Sequence, residues 1–176
     1  MTKPYAVANN NPHFLTHTIV DWIDLFTRRE LAYVIIDSLE YCISERGLVI
    51  YSWCLMPSHL HMIANCKEDN ISLSDVMRDF KKYTAKKLIE EIKMINESRR
   101  KWLLERFRLP SGGYQVWQKG MHAIELFSNK FMDQKLNYIH KNPLEAGLVF
   151  EESGYAYSSA IDYQDGKGLL PIEFME

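Results

Sequence analysis

The sequence predicts an α+β fold in which helices pack on one central antiparallel sheet. Its segments follow the order strand, helix, two strands and helix, and a further strand and helix come after them. The second and third strands are separated only by a short turn, so they should form an antiparallel hairpin. The remainder of the chain, including its C-terminal part, is predicted to be mainly helices and short turns.

The first half of the chain should contain three strands and one helix. Residues 13–20 are rich in β-branched side chains, which is typical of a first strand. Thr27 and Glu30 have the spacing of a capping box and predict the start of a helix that ends at Gly47. Residues 48–55 are mostly apolar, which predicts a central strand, and residues 59–66 complete the hairpin.

The second half should contain three helical segments around a short stretch of strand. Ser72 is the predicted N-cap of a long helix. Residues 94–110 are basic and amphipathic and predict a helix or a helical arm, whereas residues 114–127 read as one or two strands. Ser128 should cap a last helix that stops at Asn142, because Pro143 follows.

The length and composition fit one domain over residues 1–176 of a cytoplasmic protein. A chain of 176 residues is long enough to bury its own core. No apolar run approaches the roughly 18 residues of a membrane span, and the polar N-terminus does not resemble a signal peptide. The three cysteines lie among apolar residues and are expected to be buried and reduced.

Charge is unevenly distributed along the chain. The net charge is −2, yet residues 78–108 contain 11 Lys and Arg against 5 Asp and Glu. Such asymmetry predicts a surface that faces a polyanion, although a solvated helix with lysines on its outer side would have the same composition.

The strongest candidate for a functional motif is the stretch Leu55-Met56-Pro57-Ser58-His59-Leu60-His61-Met62-Ile63. Residues two apart in a strand point to the same face, so His59 and His61 should project together. Two neighbouring imidazoles can hold a cation or a phosphate. A histidine pair by itself usually has no function, so a site also requires a nucleophile and a further ligand.

Tyr83 and Tyr138 are the candidate nucleophiles, and each lies on the border of the apolar stripe of its helix. Lys87 follows Tyr83 by one turn and would repel a cation. Asn142 follows Tyr138 by one turn, and its amide oxygen could complete a metal site begun by two histidines. Ligand chemistry therefore favours Tyr138, since a nearby cation activates a tyrosine hydroxyl as a nucleophile.

The residues around the histidine pair resemble the histidine motif of the single-tyrosine HUH transposases. More narrowly, the chain resembles their branch of REP-associated tyrosine transposases. Residues 136–143 (LNYIHKNP) and 146–149 (AGLV) resemble the tyrosine motif of that branch. Residues 79–84 (DFKKYT) and 116–118 (VWQ) match it too, and the similarity runs over nearly the whole chain.

This resemblance implies a ferredoxin-like HUH fold and an enzyme that cuts and rejoins single-stranded DNA with a hairpin-forming target. His59 and His61 would be metal ligands with Asn142 as the third, and the metal would be Mg²⁺ or Mn²⁺. Tyr138 would attack the strand, leaving a 5′-phosphotyrosine and a free 3′-hydroxyl. The resemblance is also compatible with a homodimer.

The basic segment would then contact the DNA backbone, with Lys82, Lys86 and Lys87 as the predicted DNA-binding residues. Trp102 and Trp117 would be available for base stacking.

Two other functions stay open on the sequence. The first is a domesticated DNA hairpin-binding protein that no longer cleaves, against which the intact His59, His61 and Tyr138 argue. The second is a His-x-His metal hydrolase. The chain is too short for a barrel of about 250 residues, and no convincing set of carboxylates and histidines lies downstream.

Overall fold

The structure, a computed structural model, describes residues 11–68 and 70–175. Within these ranges the strands are β1 (His13–Thr18), β2 (Leu48–Met56), β3 (His59–Cys66) and β4 (His122–Glu125). The helices are α1 (Arg29–Glu45), α2 (Leu73–Met94), α3 (Arg100–Phe107) and α4 (Asn129–Glu145). The strands form one antiparallel sheet in the order β2-β3-β1-β4, so the predicted α+β fold is confirmed. No helix of the described residues has the length and apolar character needed to cross a membrane.

Helices cover both faces of this sheet. Leu15 and Leu60 point to one face and belong to a large apolar cluster with residues of α1 and α2. Phe14 and Ile63 point to the other face and pack in a smaller cluster with Ile139 of α4. Because side chains alternate along a strand, every side chain of the sheet that shares a face with Ile63 points toward α4.

The prediction that β2 is a central strand is wrong, because β2 lies at one end of the sheet. Its side chains are nevertheless mostly buried because the C-terminal residues cover this edge. The Leu55 amide donates to the Tyr157 carbonyl at 2.8 Å, and the Trp53 amide donates to the Ser159 hydroxyl at 2.9 Å. The apolar composition that indicated a central strand therefore reflects this covering segment.

The predicted capping box of α1 is also wrong. α1 begins at Arg29, and its N-cap Arg28 makes no side-chain cap. The Thr27 hydroxyl instead donates to the Asp24 carbonyl at 3.0 Å, within a short 3-10 turn. A turn that uses the hydroxyl locally thus prevents it from capping the helix.

The other predicted helix starts are confirmed. The Ser72 hydroxyl accepts from the Asp75 amide at 3.3 Å, and Ser128 caps α4 in the same way. α4, however, continues through Pro143 to Glu145 instead of stopping at Asn142. Pro143 has no N–H to donate to the Ile139 carbonyl, so the helix continues past it with one hydrogen bond fewer.

The segments between α2 and α4 are less regular than predicted. Of residues 94–110, only Arg100–Phe107 form a helix of their own. Of residues 114–127, only His122–Glu125 pair as a strand of the sheet. Two isolated bridges, between Ile19 and Trp117 and between Arg108 and Tyr114, are further pairings of this segment.

A buried histidine should make the fold sensitive to acid. His17 lies on the α2 face of β1, and both of its ring nitrogens are buried without a partner among the described residues. Burial, helped by Lys81 and His61, lowers the pKa of His17 to about 3. The unfolded chain binds this proton below about pH 6.5. The contribution of the neutral His17 to the free energy of unfolding is therefore fully present above that pH, and it is lost as the pH falls from about 6.5 to about 3.

We expect the free energy of unfolding to fall by roughly 2 kcal/mol between pH 7 and about pH 5 on account of His17. Urea unfolding at both pH values measures this change, and in His17→Leu the difference in the free energy of unfolding between the two pH values should be smaller than in the wild-type protein by that amount. His122→Leu, which replaces an exposed histidine, is the matched control. An unchanged pH dependence in His17→Leu would refute this role.

Candidate active site

The two histidines of the motif lie side by side on β3. Across the strand pair with β1, His61 is opposite Thr16 and His59 is opposite Thr18. The two imidazole rings have their centroids 4.6 Å apart. They share the sheet face of Ile63, so they project toward the α4 side.

Hydrogen bonds orient both rings through the same nitrogen. The His61 Nδ1 lies 2.9 Å from the Thr16 hydroxyl, and the His59 Nδ1 lies 3.0 Å from the Ser58 hydroxyl. When Nδ1 carries the proton and donates it to such a partner, Nε2 keeps its lone pair. A side chain that fixes one ring nitrogen so that the other can ligate is the common arrangement around metal-binding histidines.

The surroundings keep both imidazoles neutral at neutral pH. Burial lowers the pKa of His61 to about 3, and the nearby His59 and Lys135 contribute to the shift. Burial also lowers the pKa of His59 below its ordinary value. A metal ligand must be deprotonated, so this environment suits a cation better than it suits a phosphate.

α4 brings Tyr138 to the histidine pair. The Tyr138 ring lies 5.4 Å from the His61 ring and 5.9 Å from the Phe14 ring, in an edge-on arrangement with each. Its side chain is 45% exposed, so one side of the ring packs while the other remains open to solvent. A tyrosine ring and an imidazole pair thus lie next to each other within one chain.

Lys135 adds a positive charge to this group. Its ammonium lies 4.7 Å from the Phe14 ring centroid and 5.7 Å from the Tyr138 ring centroid. Lys135 precedes Tyr138 by three positions on α4, which places both on one side of the helix. Sequence reasoning missed Lys135, although this spacing relative to Tyr138 could have indicated it.

Tyr83 lies elsewhere. It is on α2, which packs on the opposite face of the sheet, and it is 54% exposed. Its side chain lines a cavity of about 480 Å³ together with Tyr41, Arg46 and Asp79. The histidine pair does not belong to that cavity.

Asn142 is half-buried near the end of α4, one turn after Tyr138. Among the described residues, no group of three or more His, Cys, Asp and Glu could hold a metal ion. A cation on His59 and His61 would therefore need an oxygen ligand of another kind. The Asn142 amide and a DNA phosphate are donors of that kind, so the donor chemistry fits a divalent cation.

The three predicted DNA-binding lysines lie on α2, in the layer on the far side of the sheet from the histidines. Lys87 pairs with Glu90 at 2.9 Å, and Lys86 lies 3.9 Å from the same carboxylate. Lys82 is exposed. Part of the positive charge in this segment is thus balanced locally.

The tryptophans differ from the expectation. Trp117 is buried and donates to the Thr84 hydroxyl at 2.9 Å, so it is not available for stacking. Trp102 is exposed. Trp22 lies with its ring 5.3 Å from the His59 ring. No local sequence signal indicates that neighbour.

The site combines a histidine pair on an antiparallel sheet with a tyrosine on a neighbouring helix. Comparison with known families identifies the class of protein. The family model described as "Transposase IS200 like" matches residues 24–142. The chain therefore belongs to the family of IS200-like transposases.

One curated relative matches part of this chain. A Haemophilus influenzae protein that carries the name of a REP-associated tyrosine transposase is 24% identical over 106 residues, which are 60% of this chain and 55% of that protein. The chain thus spans only about half the length of this curated relative. The resemblance identified from the sequence is confirmed by these matches.

Two solved structures match this chain, and the first is similar to it in fold. The structure of a REP-associated tyrosine transposase bound to a REP hairpin has a TM-score of 0.63 and 20% identity, and it covers 100% of this chain and 91% of its own. This similarity supports the predicted HUH transposase fold. A Deinococcus radiodurans R1 protein described as a transposase has a TM-score of 0.49 and 15% identity, covering 80% of this chain and 97% of its own.

Proposed function

We propose that this chain cuts and rejoins single-stranded DNA through a covalent link to Tyr138. The observation that supports this proposal best is the 5.4 Å separation of the Tyr138 and His61 rings within one chain. In this arrangement the tyrosine serves the histidines of its own subunit. Tyr83, on the other face of the sheet, is not the nucleophile in this account.

The proposed reaction is an exchange of ester bonds at phosphorus. The Tyr138 oxygen attacks the scissile phosphate and releases its proton to solvent. The bond from phosphorus to the 3′-oxygen breaks, and that oxygen leaves as a 3′-hydroxyl after taking up a proton. The 5′-phosphotyrosine retains the energy of the cut bond, so a second 3′-hydroxyl can rejoin the strand without a nucleotide cofactor.

The residues around Tyr138 have distinct roles in this reaction. Phe14 and His61 pack on the ring and fix its position, which favours attack in one direction. The Lys135 ammonium stabilises negative charge on the tyrosine oxygen and on the phosphate. His59 and His61, with Asn142 as third ligand, would bind Mg²⁺ or Mn²⁺. When bound, the cation would neutralise charge on a non-bridging phosphate oxygen.

The proposed substrate is a DNA hairpin with single-stranded flanks. The similar structure that contains a REP hairpin supports this choice. Lys82, Lys86 and Lys87 would contact the DNA backbone away from the scissile phosphate, because α2 lies behind the sheet. The exposed Trp102 could stack with a base in that region.

The proposal is tested by incubating the protein with a labelled hairpin that has single-stranded flanks, in Mg²⁺ or Mn²⁺, and separating the products on a denaturing gel. We expect a protein–DNA adduct that forms with this probe and does not form when EDTA is present from the start. A fully duplex DNA of the same sequence is the matched control and should give no adduct.

Binding of the hairpin without any adduct would favour the non-cleaving DNA-binding protein instead. Adduct formation on duplex DNA alone would contradict the proposed substrate. Metal-dependent hydrolysis that leaves no covalent intermediate would favour the hydrolase.

A further inference from the structure

Trp22 is a large apolar side chain that the fold leaves in solvent beside the histidine pair. It is 60% exposed, and its ring meets the His59 ring nearly edge-on at 5.3 Å and 71°. Among the described residues, it is a member of neither apolar cluster of the core. Burial in the core therefore does not account for its position.

The backbone that holds Trp22 is strained. Asp21 and Trp22 have φ of 55° and 56°, two consecutive left-handed conformations in residues that carry a Cβ. Such conformations are costly, persist only where the surroundings enforce them, and concentrate at functional sites.

Several contacts enforce this conformation. The Trp22 amide donates to the Ile19 carbonyl at 3.0 Å, and the Ile19 amide donates to the Ser58 carbonyl at 2.9 Å. Arg106 of α3 forms an ion pair with the Asp21 carboxylate. The loop is thus tied both to the residue that precedes His59 and to the basic helix α3.

We propose that Trp22 is the stacking platform for one unpaired base next to the scissile phosphate. This inference rests on the proposed function, because it takes the phosphate to lie at the histidine pair. A phosphate held there places its neighbouring base within reach of an exposed aromatic ring that contacts His59. Stacking on aromatic side chains is sequence-tolerant and requires a base whose faces are free, so the platform selects single-stranded over duplex DNA.

The interaction is measurable as a loss of affinity. A base stacked on an aromatic side chain contributes enough that Trp22→Ala should weaken binding of the hairpin by about 5- to 150-fold. Trp22→Phe keeps an aromatic face and should retain most of the affinity. Phe150→Ala removes a fully exposed aromatic ring that follows the end of α4, and it is the matched control.

The experiment is a binding titration by fluorescence anisotropy with a labelled DNA hairpin that has thymidine flanks, in which each flank nucleotide is replaced in turn by an abasic site. We expect one abasic position to weaken binding to the wild-type protein as strongly as Trp22→Ala does. That same abasic site should have no further effect on Trp22→Ala, whereas its effect on Phe150→Ala should equal its effect on the wild-type protein. Quenching of tryptophan fluorescence on binding should be smaller in Trp22→Phe than in the wild-type protein. Circular dichroism of each variant verifies that it is folded.

Equal affinity of Trp22→Ala and wild-type protein would overturn the stacking role, and so would additive effects of the abasic site and the substitution. If the wild-type protein still forms its covalent adduct, either result leaves the proposed function standing. A wild-type protein that neither binds the hairpin nor forms an adduct would overturn both proposals.

Discussion

Tyr138→Phe is expected to lower covalent attachment to single-stranded DNA by at least about 1,000-fold, because it removes the attacking oxygen. The phenylalanine ring can keep the contacts that Tyr138 makes with Phe14 and His61. Folding and DNA binding should therefore be preserved. The measurement is the yield of protein–DNA adduct on a denaturing gel, with binding followed separately by anisotropy.

Tyr83→Phe is the matched control, since it removes the hydroxyl of an exposed tyrosine on the other face of the sheet. Its adduct yield should equal that of the wild-type protein. An adduct that persists in Tyr138→Phe and disappears in Tyr83→Phe would reverse the assignment of the nucleophile.

Removal of both imidazoles in His59→Ala/His61→Ala is expected to lower the affinity for Mn²⁺ by about 100-fold or more, and adduct formation should fall with it. Thr16→Val should have a smaller effect of about 10- to 100-fold, because the Thr16 hydroxyl only orients His61. Calorimetric titration with Mn²⁺ measures both changes.

His122→Ala removes a histidine that is exposed on β4, and it should leave Mn²⁺ affinity unchanged. If the double variant binds Mn²⁺ as tightly as the wild-type protein, the two histidines are not the metal ligands. A Thr16→Val variant that matches the wild-type protein would remove only the orienting role of Thr16.

The local part of this site could be predicted from the sequence because it depends on strand periodicity. His59 and His61 are two residues apart in β3, so their common face follows directly from the alternation of side chains. The helices that carry Tyr83 and Tyr138 could likewise be predicted from their apolar stripes. The choice between the two tyrosines depended on the chemistry of Lys87 and Asn142.

Contacts between distant elements could not be predicted in this way. Tyr83 and Tyr138 each lie on the border of an apolar stripe, and the packing of α2 and α4 on opposite faces of the sheet, which places only Tyr138 beside the histidines, has no local signal. Thr16 and Trp22 reach the histidines through the register of β1 and a strained turn, neither of which has a local signal. β2 has the composition of a central strand because the C-terminal segment covers it.

The central claim, that Tyr138 is the covalent nucleophile, is tested most directly by locating the DNA on the protein. The adduct formed by the wild-type protein is trimmed with nuclease, digested with trypsin and analysed by mass spectrometry. We predict a nucleotide phosphate on Tyr138 in the peptide of residues 136–141. Modification of Tyr83 in the peptide of residues 83–86, or cleaved DNA with no modified tyrosine, would contradict this account.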